Sequence, residues 1–407
     1  IHGCGYCYYQ GASMFAIETF HTHGSDIDKF IKPVSQFTNN SPDLLLGFAT
    51  TDTIKYLYNS QPNLIKNTQN CLIISSCLGS STEKNLSLNE QSISLFSIKD
   101  STGHYGIASC NTTNNLRENA ANTVLRAIAN AGQTGLAPKM VWCFQVPGNE
   151  ELVLQGIQDA IGQRIPVFGG SCADNDISAK WCFSDTKNVY QQGFIIAVLY
   201  PSVETFGFYS SGYDITNQQG IVTNIEGRLL KTIDNQPAFD VYNQWRKNLG
   251  FGQLKAGNIL AQSAMTPLSR AFASDDEIPR LLLSHPAIAK NGSLELFSNL
   301  HVGDTVYLAS GSPEQLIKRA DIVVTSLTKL AELHAIKNIT GAIIIFCGGC
   351  MLSIKDAMQE VKHSIKTQLP NIPFIMGFTF GELGTFSDAT SKHGNLMISC
   401  EIFGGPV

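Results

Sequence analysis

The sequence predicts an α+β, mixed α/β fold: two related halves with mixed β-sheets flanked by helices. Three observations carry this expectation. Apolar strand-like runs alternate with segments of helical periodicity. A strand–helix–strand pattern recurs at 140–175 and at 343–382. Between 180 and 231, short β-rich runs follow one another with Gly, Asn and Pro between them, the pattern of an antiparallel meander.

The elements follow in order. Residues 1–45 read as irregular and polar, apart from the aromatic stretch YCYY. CLIISSCLG (71–79) and SISLFSI (92–98) read as strands. The segment 116–131 reads as a helix, with Leu116, Ala120, Val124 and Ile128 along one stripe. MVWCFQV (140–146), a helix at 151–161 and IPVFGG (165–170) form a strand–helix–strand unit that ends in a glycine turn. WCFSD, GFIIAVLYP, ETFGFYSSGY and GIVTNIEG make up the meander. PAFDVYNQW (237–245) starts a helix, and a loop-rich section follows to residue 290. DTVYLAS (304–310) is a strand and 313–336 a long amphipathic helix. GAIIIFC (341–347), a helix at 352–369 and IPFIMG (372–377) repeat the earlier unit, and NLMISCEIF (395–403) is a last strand. The expected division is a segment at 1–40 and domains at 41–235 and 236–407.

Composition narrows the function classes. The 407 residues are 43% hydrophobic and 15% charged, with a formal net charge of -5. That is globular content without the clustered Lys/Arg footprint that duplex nucleic acid demands. No apolar run reaches the roughly 18 to 20 residues of a membrane span. The first ten residues lack the charged start and apolar run of a secretory signal, so a cytoplasmic protein is expected. The 11 cysteines are an odd number and argue against a secreted disulfide framework.

A strand–helix–strand unit places its strands parallel, and ligands sit beyond the carboxyl ends of such strands. Cys347 and the turns at Gly169, Gly170, Cys172, Gly377, Gly381 and Glu382 fall there, which makes them candidate pocket residues. Tight turns packed between strands are the plainer reading of these glycines. Cys4-x-x-Cys7 and Cys347-x-x-Cys350 have metal or dithiol spacing, and together they could supply a four-thiolate zinc site. Thiols packed around a turn explain each pair more simply. Of the nine histidines, His363 and His334 read as helix-surface residues, and His21 and His23 lie in a polar context. His393, His285, His301 and His104 border apolar runs or turns, where a structural histidine is the ordinary expectation. No G-x-S-x-G elbow, H-E-x-x-H pair or nucleophilic triad is readable, so no catalytic machinery is expected.

IPVFGGSCADN, WCFSD, GFIIAVLY and IVTNIEGRLLKTIDNQPAFDVYNQW resemble the N-terminal FIST domain. GAIIIFCGGCMLSI followed by IPFIMGFTFGELG resembles its C-terminal partner. The likeness spans roughly 40–403 and implies an intracellular ligand-sensing module. CGGC, KHGNLMIS and the lack of an attached effector domain resemble the NosP haemoproteins of that family. This resemblance implies haem, nitric oxide sensing and a partner histidine kinase or cyclic-di-GMP enzyme, with a homodimer possible. His393 then ranks first as axial ligand, followed by His285, His301 and His104. A small-metabolite sensor without haem, and a Cys-based redox or zinc switch, are the alternatives.

Overall fold

The structure, a computed structural model, describes residues 14–61, 68–272, 280–333, 336 and 338–405. Cys4, Cys7, the aromatic stretch beside them and His334 lie outside the described residues.

Both units read from the sequence are present, and each places its strands parallel. Met140–Gln145 pairs with Val167–Ser171, Cys143 opposite Gly169, and Asn338–Cys347 pairs with Phe374–Thr379, Ile345 opposite Gly377. A third copy joins them: Leu44–Ala49 runs parallel to Cys71–Ser75 across the helix Thr51–Ser60. The copies extend into three full repeats. Each repeat runs strand, helix, strand, helix, strand, hairpin, strand, and the three begin at Phe15, His104 and Glu204.

The hairpins are exchanged in a cycle. The first repeat's hairpin (Gly79–Thr82, Leu86–Leu88) adds to the third repeat's Phe374–Thr379. The second repeat's (Phe183–Ser184, Val189–Tyr190) adds to Cys71–Ser75 of the first. The third repeat's (Glu382–Thr385, Ser391–Gly394) adds to Val167–Ser171 of the second. Three six-stranded mixed sheets result.

Side-chain alternation then builds two layers. Leu44, Leu46 and Phe48, Met140, Trp142 and Phe144, and Ile343 and Ile345 point into one shared central core. The intervening residues face each repeat's own helices: Leu45 in the first, Val141 and Cys143 in the second, Ile344 and Phe346 in the third. Burial on both faces explains why these strands read as unbroken apolar runs.

Residues 214–310 form a separate module, inserted between strand Glu204–Ser210 and helix Pro313–Leu333 of the third repeat. It is a nine-stranded antiparallel sheet, with Phe239, Tyr242 and Trp245 of helix Ala238–Asn248 packed on its core. It straddles the expected boundary at 235.

Three expectations about elements change. The segment 1–45 contains strand Phe15–Gly24 and helix Ile31–Thr38. The strand is half-buried at the edge of its sheet, so it carries none of the apolar density of the central strands. The meander at 180–231 is not one sheet. Phe183–Ser184, Phe194–Tyr200, Glu204–Ser210 and Asp214–Glu226 go to four different sheets, because the first is in an exchanged hairpin, the second ends repeat two, the third begins repeat three and the fourth belongs to an inserted module. The loop-rich section before 290 contains strands Leu268–Phe272, Arg280–Ser284 and Pro286–Lys290.

Candidate functional site

A cavity of about 640 Å³ lies between the inserted module and the carboxyl ends of the parallel strands of repeats two and three. Pro147 and Glu150 follow strand Met140–Gln145, Cys347 and Gly349 end strand Asn338–Cys347, and Phe380 follows Phe374–Thr379. The module supplies the opposite wall through Arg228, Leu260, Ala264, His285 and Phe297. Trp181, Leu352 and Leu396 complete a largely apolar lining. Such a space suits a small ligand held by shape and a few polar contacts.

The polar contacts centre on a buried charge cluster. Glu150 and Glu151 open the helix Glu150–Ile161. The Arg228 Nη2 donates to Glu150 Oε2 at 2.6 Å and to Glu151 Oε2 at 2.7 Å, so one guanidinium joins the module to the barrel. Arg228 Nε donates to Asn299 Oδ1 at 3.0 Å, and the Asn299 amide donates to Glu151 Oε1 at 2.8 Å. Ser171 Oγ and the Gly148 amide donate to Glu150 Oε1 at 2.6 and 3.1 Å. Burial pushes both carboxyls up, but the charges of His393 and Arg228 outweigh it and hold them below the usual carboxylate range.

His393 lies 3.1 Å through Nδ1 from Glu151 Oε1. Its Nε2 has no hydrogen-bond partner and is 4.0 Å from Glu150 Oε1. Glu150, Glu151 and His393 are close enough to share a metal ion. Arg228 already bridges both carboxylates and offsets one of their two charges, which weakens the pull on a cation.

A second polar group lies at Cys347 and Cys350. Cys347 caps the short helix Gly348–Ser353 and faces the cavity, while Cys350 is fully buried. Cys350 Sγ is 3.7 Å from Tyr213 Oη and 3.8 Å from the Leu396 carbonyl. Arg319 is buried beside it and donates to that same Leu396 carbonyl at 2.9 Å and to the Ser211 carbonyl at 3.1 Å. Burial pushes Cys350 up, but a hydrogen bond from Cys347 and the Arg319 charge outweigh it and lower its pKa; Cys347 rises well above the ordinary thiol value. Glu382 is buried with its Oε2 accepting from the Met397 amide at 2.9 Å, and burial raises its pKa well above the usual carboxylate range.

The predicted residues separate clearly. Cys347 lines the cavity, and of the four candidate haem ligands His285 does too. Burial lowers the His285 pKa to about 4, and Nε2 donates to the Leu260 carbonyl at 2.9 Å, so the ring is neutral with the lone pair on Nδ1. His393 is absent from the cavity lining and packs against Gly381, where a Cβ would stand 2.6 Å from Nε2. His301 is exposed beside Asp304, and His104 is exposed at the start of strand His104–Cys110. Gly169, Gly170, Cys172, Gly377, Gly381 and Glu382 lie behind the cavity in solid packing. Gly169 has φ +138 and a Cβ there would meet the Cys143 carbonyl at 2.0 Å; one on Gly377 would meet the Phe48 ring at 2.4 Å. These glycines let strands and rings approach, and the carboxyl-end position, rather than the glycines themselves, marks the site. Sequence reasoning missed Glu150, Arg228, Trp181 and Phe297. Two adjacent acids in the first turn after a parallel strand were the one available signal.

Fold and site define a threefold-repeated α/β barrel with an inserted β-module and a ligand-sized cavity between the two. A FIST N domain matches residues 43–236 and a FIST C domain matches 238–385, so the chain belongs to the FIST family of sensory signalling domains. No curated protein matches the chain in sequence. Among solved structures it is similar to a cyanuric acid hydrolase from A. caulinodans, at 11% identity and a TM-score of 0.30, covering 49% of this chain and 72% of that one. A chorismatase covers 97% of this chain and 99% of its own at 6% identity and a TM-score of 0.36. Nothing of those enzymes' chemistry carries over at such scores. Among the described residues, no helix is long and apolar enough to cross a membrane.

Proposed function

We propose that this chain is a cytoplasmic sensor of a small, largely apolar metabolite, such as an amino acid with an apolar side chain. The ligand is held between barrel and module, and its occupancy is passed to a partner protein by movement of the module. The observation that carries this reading is the cavity's construction: its two walls belong to different structural units, and Arg228 bridges them through Glu150 and Glu151. A ligand between them has different contacts in the seated and released module, which is what a two-state output requires. The family resemblance favours a histidine kinase or cyclic-di-GMP enzyme as the partner.

Thermal melting against a panel of amino acids and aromatic carboxylic acids tests this. A ligand present at 100 times its Kd adds about 2.7 kcal/mol of stability. Ala261, exposed at the cavity wall, tolerates a bulky replacement without touching the core. Ala261→Trp should abolish the melting shift and preserve the ligand-free melting temperature. An unchanged shift in that variant refutes the assignment.

Haem is a second reading, favoured by one observation: His285, neutral and on the cavity wall, presents an imidazole that could ligate iron. Such a group would supply nitric oxide binding at its iron. Haemin titration should give a Soret band that shifts in His285→Ala and is preserved in His393→Ala. Dependence on His393 alone would exclude the cavity as the haem site.

A further inference from the structure

We propose that Cys347 and Cys350, the latter packed beside the buried guanidinium of Arg319, form a redox-active dithiol that is reached through the cavity at Cys347 and that low-molecular-weight disulfides oxidise to an internal disulfide. This goes beyond the ligand reading and uses the cavity only as a passage, so its failure would leave that reading intact.

The first argument is spacing. Cys347 is the N-cap of the helix Gly348–Ser353 and Cys350 is the third residue after it. That spacing places the two cysteines one helical turn apart, and each thiol acts on the other's pKa. The link between them is Gly348-Gly349. A Cβ on Gly349 would stand 3.6 Å from Cys347 Sγ, so the sulfur lies close over this link.

The second argument is charge. Arg319 is 1% exposed, within the apolar stripe of helix Pro313–Leu333. Its donors meet only neutral carbonyls, those of Ser211, Leu396 and Met397, and its plane lies 4.4 Å from the centre of the Phe346 ring. Among the described residues no carboxylate forms a salt bridge with it. A guanidinium cannot shed its proton, and a buried charge needs a counter-charge. The acidic groups facing it are Cys350, Tyr213, Cys347 and Glu382. Burial pushes Glu382, Tyr213 and Cys347 up, while Cys350 is the one of these groups whose pKa is lowered. Cys350 Sγ and Arg319 Nη1 both lie against the Leu396 carbonyl, at 3.8 and 2.9 Å, which sets the two side chains next to each other. Cys77 and Cys182 differ: burial raises both to about 12, and the charges of Lys355 and Lys55 do not offset it.

The third argument is access. Cys347 lines the cavity and Cys350 lies behind it. The shared proton passes from Cys347 to Cys350, and the Cys347 thiolate attacks one sulfur of the small disulfide. That S–S bond breaks, a mixed disulfide forms on Cys347, and one thiolate leaves. Cys350, returning its proton to the departing thiolate, attacks Cys347 Sγ and expels the second thiolate, which takes a proton from water. Two protein thiols lose two electrons and the small disulfide becomes two thiols. The product removes the counter-anion of Arg319, whose carbonyl contacts tie its helix to residues 396–397.

The test exposes the full chain to oxidised glutathione, followed by alkylation in denaturant and peptide mass spectrometry. The expected result is a Cys347–Cys350 link, with Cys71, Cys143, Cys172, Cys182 and Cys400 alkylated. Cys350→Ser should stop with one glutathione on Cys347, and Cys347→Ser should leave Cys350 unreacted. In the unaltered chain the oxidation rate should change less than about twofold between pH 7 and 8, where an ordinary thiol of pKa about 8.5 gains nearly tenfold. A missing link in the folded chain, glutathione on Cys350 of Cys347→Ser, earlier oxidation elsewhere, or a tenfold rise with pH would each overturn the proposal.

Discussion

Replacing Arg228 by Met tests whether the buried charge cluster holds the inserted module to the barrel. The substitution keeps an apolar stem of similar length and deletes the bridge to Glu150 Oε2 and Glu151 Oε2. Breaking a buried pair by removing one partner costs about 3–5 kcal/mol, because a buried charge is left unpaired. Arg228 and Glu151 each retain 17% side-chain exposure, so the lower end, about 3 kcal/mol, is the expectation. Unfolding entropy is about 2.1 cal/mol/K per residue. For cooperative unfolding of all 407 residues that gives about 0.85 kcal/mol/K and a fall of about 3–4 °C in Tm. If residues 214–310 melt as their own unit, the entropy is about 0.2 kcal/mol/K and that transition falls by about 15 °C. Differential scanning calorimetry separates the two cases. The sign with pH follows from the depressed carboxyl pKa values. Glu150 and Glu151 contribute stability above their unfolded pKa of about 4.3, and that stability is lost as pH falls through their folded values. In Arg228→Met the carboxylates repel and gain from protonation, so the gap to the unaltered chain should narrow from pH 8 to pH 5. A Tm within 1 °C of the unaltered chain, or a gap independent of pH, refutes the reasoning.

Gly169→Ala places a Cβ 2.0 Å from the Cys143 carbonyl at φ +138, so we expect loss of soluble, folded protein; a normal far-UV spectrum and melting profile would contradict it. Glu401 is fully buried, accepts from Trp142 Nε1 at 2.7 Å and is raised to about 8. Its raised pKa makes stability fall as pH rises from about 4.3 to about 8, so Glu401→Gln should be destabilised less than the unaltered chain between pH 5 and 9, by a few kcal/mol at most in chemical denaturation. His285→Ala removes the Nε2 contact with the Leu260 carbonyl and enlarges the cavity, which should cost about 1–3 kcal/mol and weaken binding of any cavity ligand by calorimetric titration.

What the sequence made legible divides along physical lines. The strands at 140–146 and 341–347 declare themselves because they are buried on both faces and so are continuously apolar. The equivalent Leu44–Ala49 has the same burial but lies in a stretch read as irregular at its start, and its companion strand lacks the Ile-Pro approach of the other two. The first repeat was therefore invisible as a repeat. Hairpin exchange leaves no local trace, since pairing partners are fixed by packing over more than a hundred residues of separation. At the site, the carboxyl-end rule located the cavity, but glycine was the wrong marker: Gly169 and Gly377 serve close packing. Arg319 was readable, because a charge three residues after Leu316 and four before Val323 falls on the helix's buried stripe. Arg228 was not, because nothing about a residue in the turn Gly227–Leu229 tells which acids it will reach.

The repeats also explain where the cavity lies. The side chains' facing and the strand register make Ala49, Gln145 and Phe346 equivalent, and likewise Ser75, Ser171 and Phe378. Backbone hydrogen bonds pass around these strand ends from repeat to repeat: Ala173 N to Ser75 O, Cys77 N to Phe378 O and Phe380 N to Ser171 O. A symmetric assembly would offer three equal corners. The module interrupts only the third repeat, after strand Glu204–Ser210, and so covers the corner between repeats two and three. No residue of the first repeat lines the cavity. That covered corner is also where the sequence departs from its counterparts, with Cys347 in place of Thr50 and Val146 and with acids at 150 and 151. The barrel supplies three scaffolds, and the insertion together with these substitutions makes one of them chemically distinct. Specialisation of one corner leaves the shared core undisturbed, because the interior side chains at 44, 142 and 343 belong to strands whose ends alone have diverged.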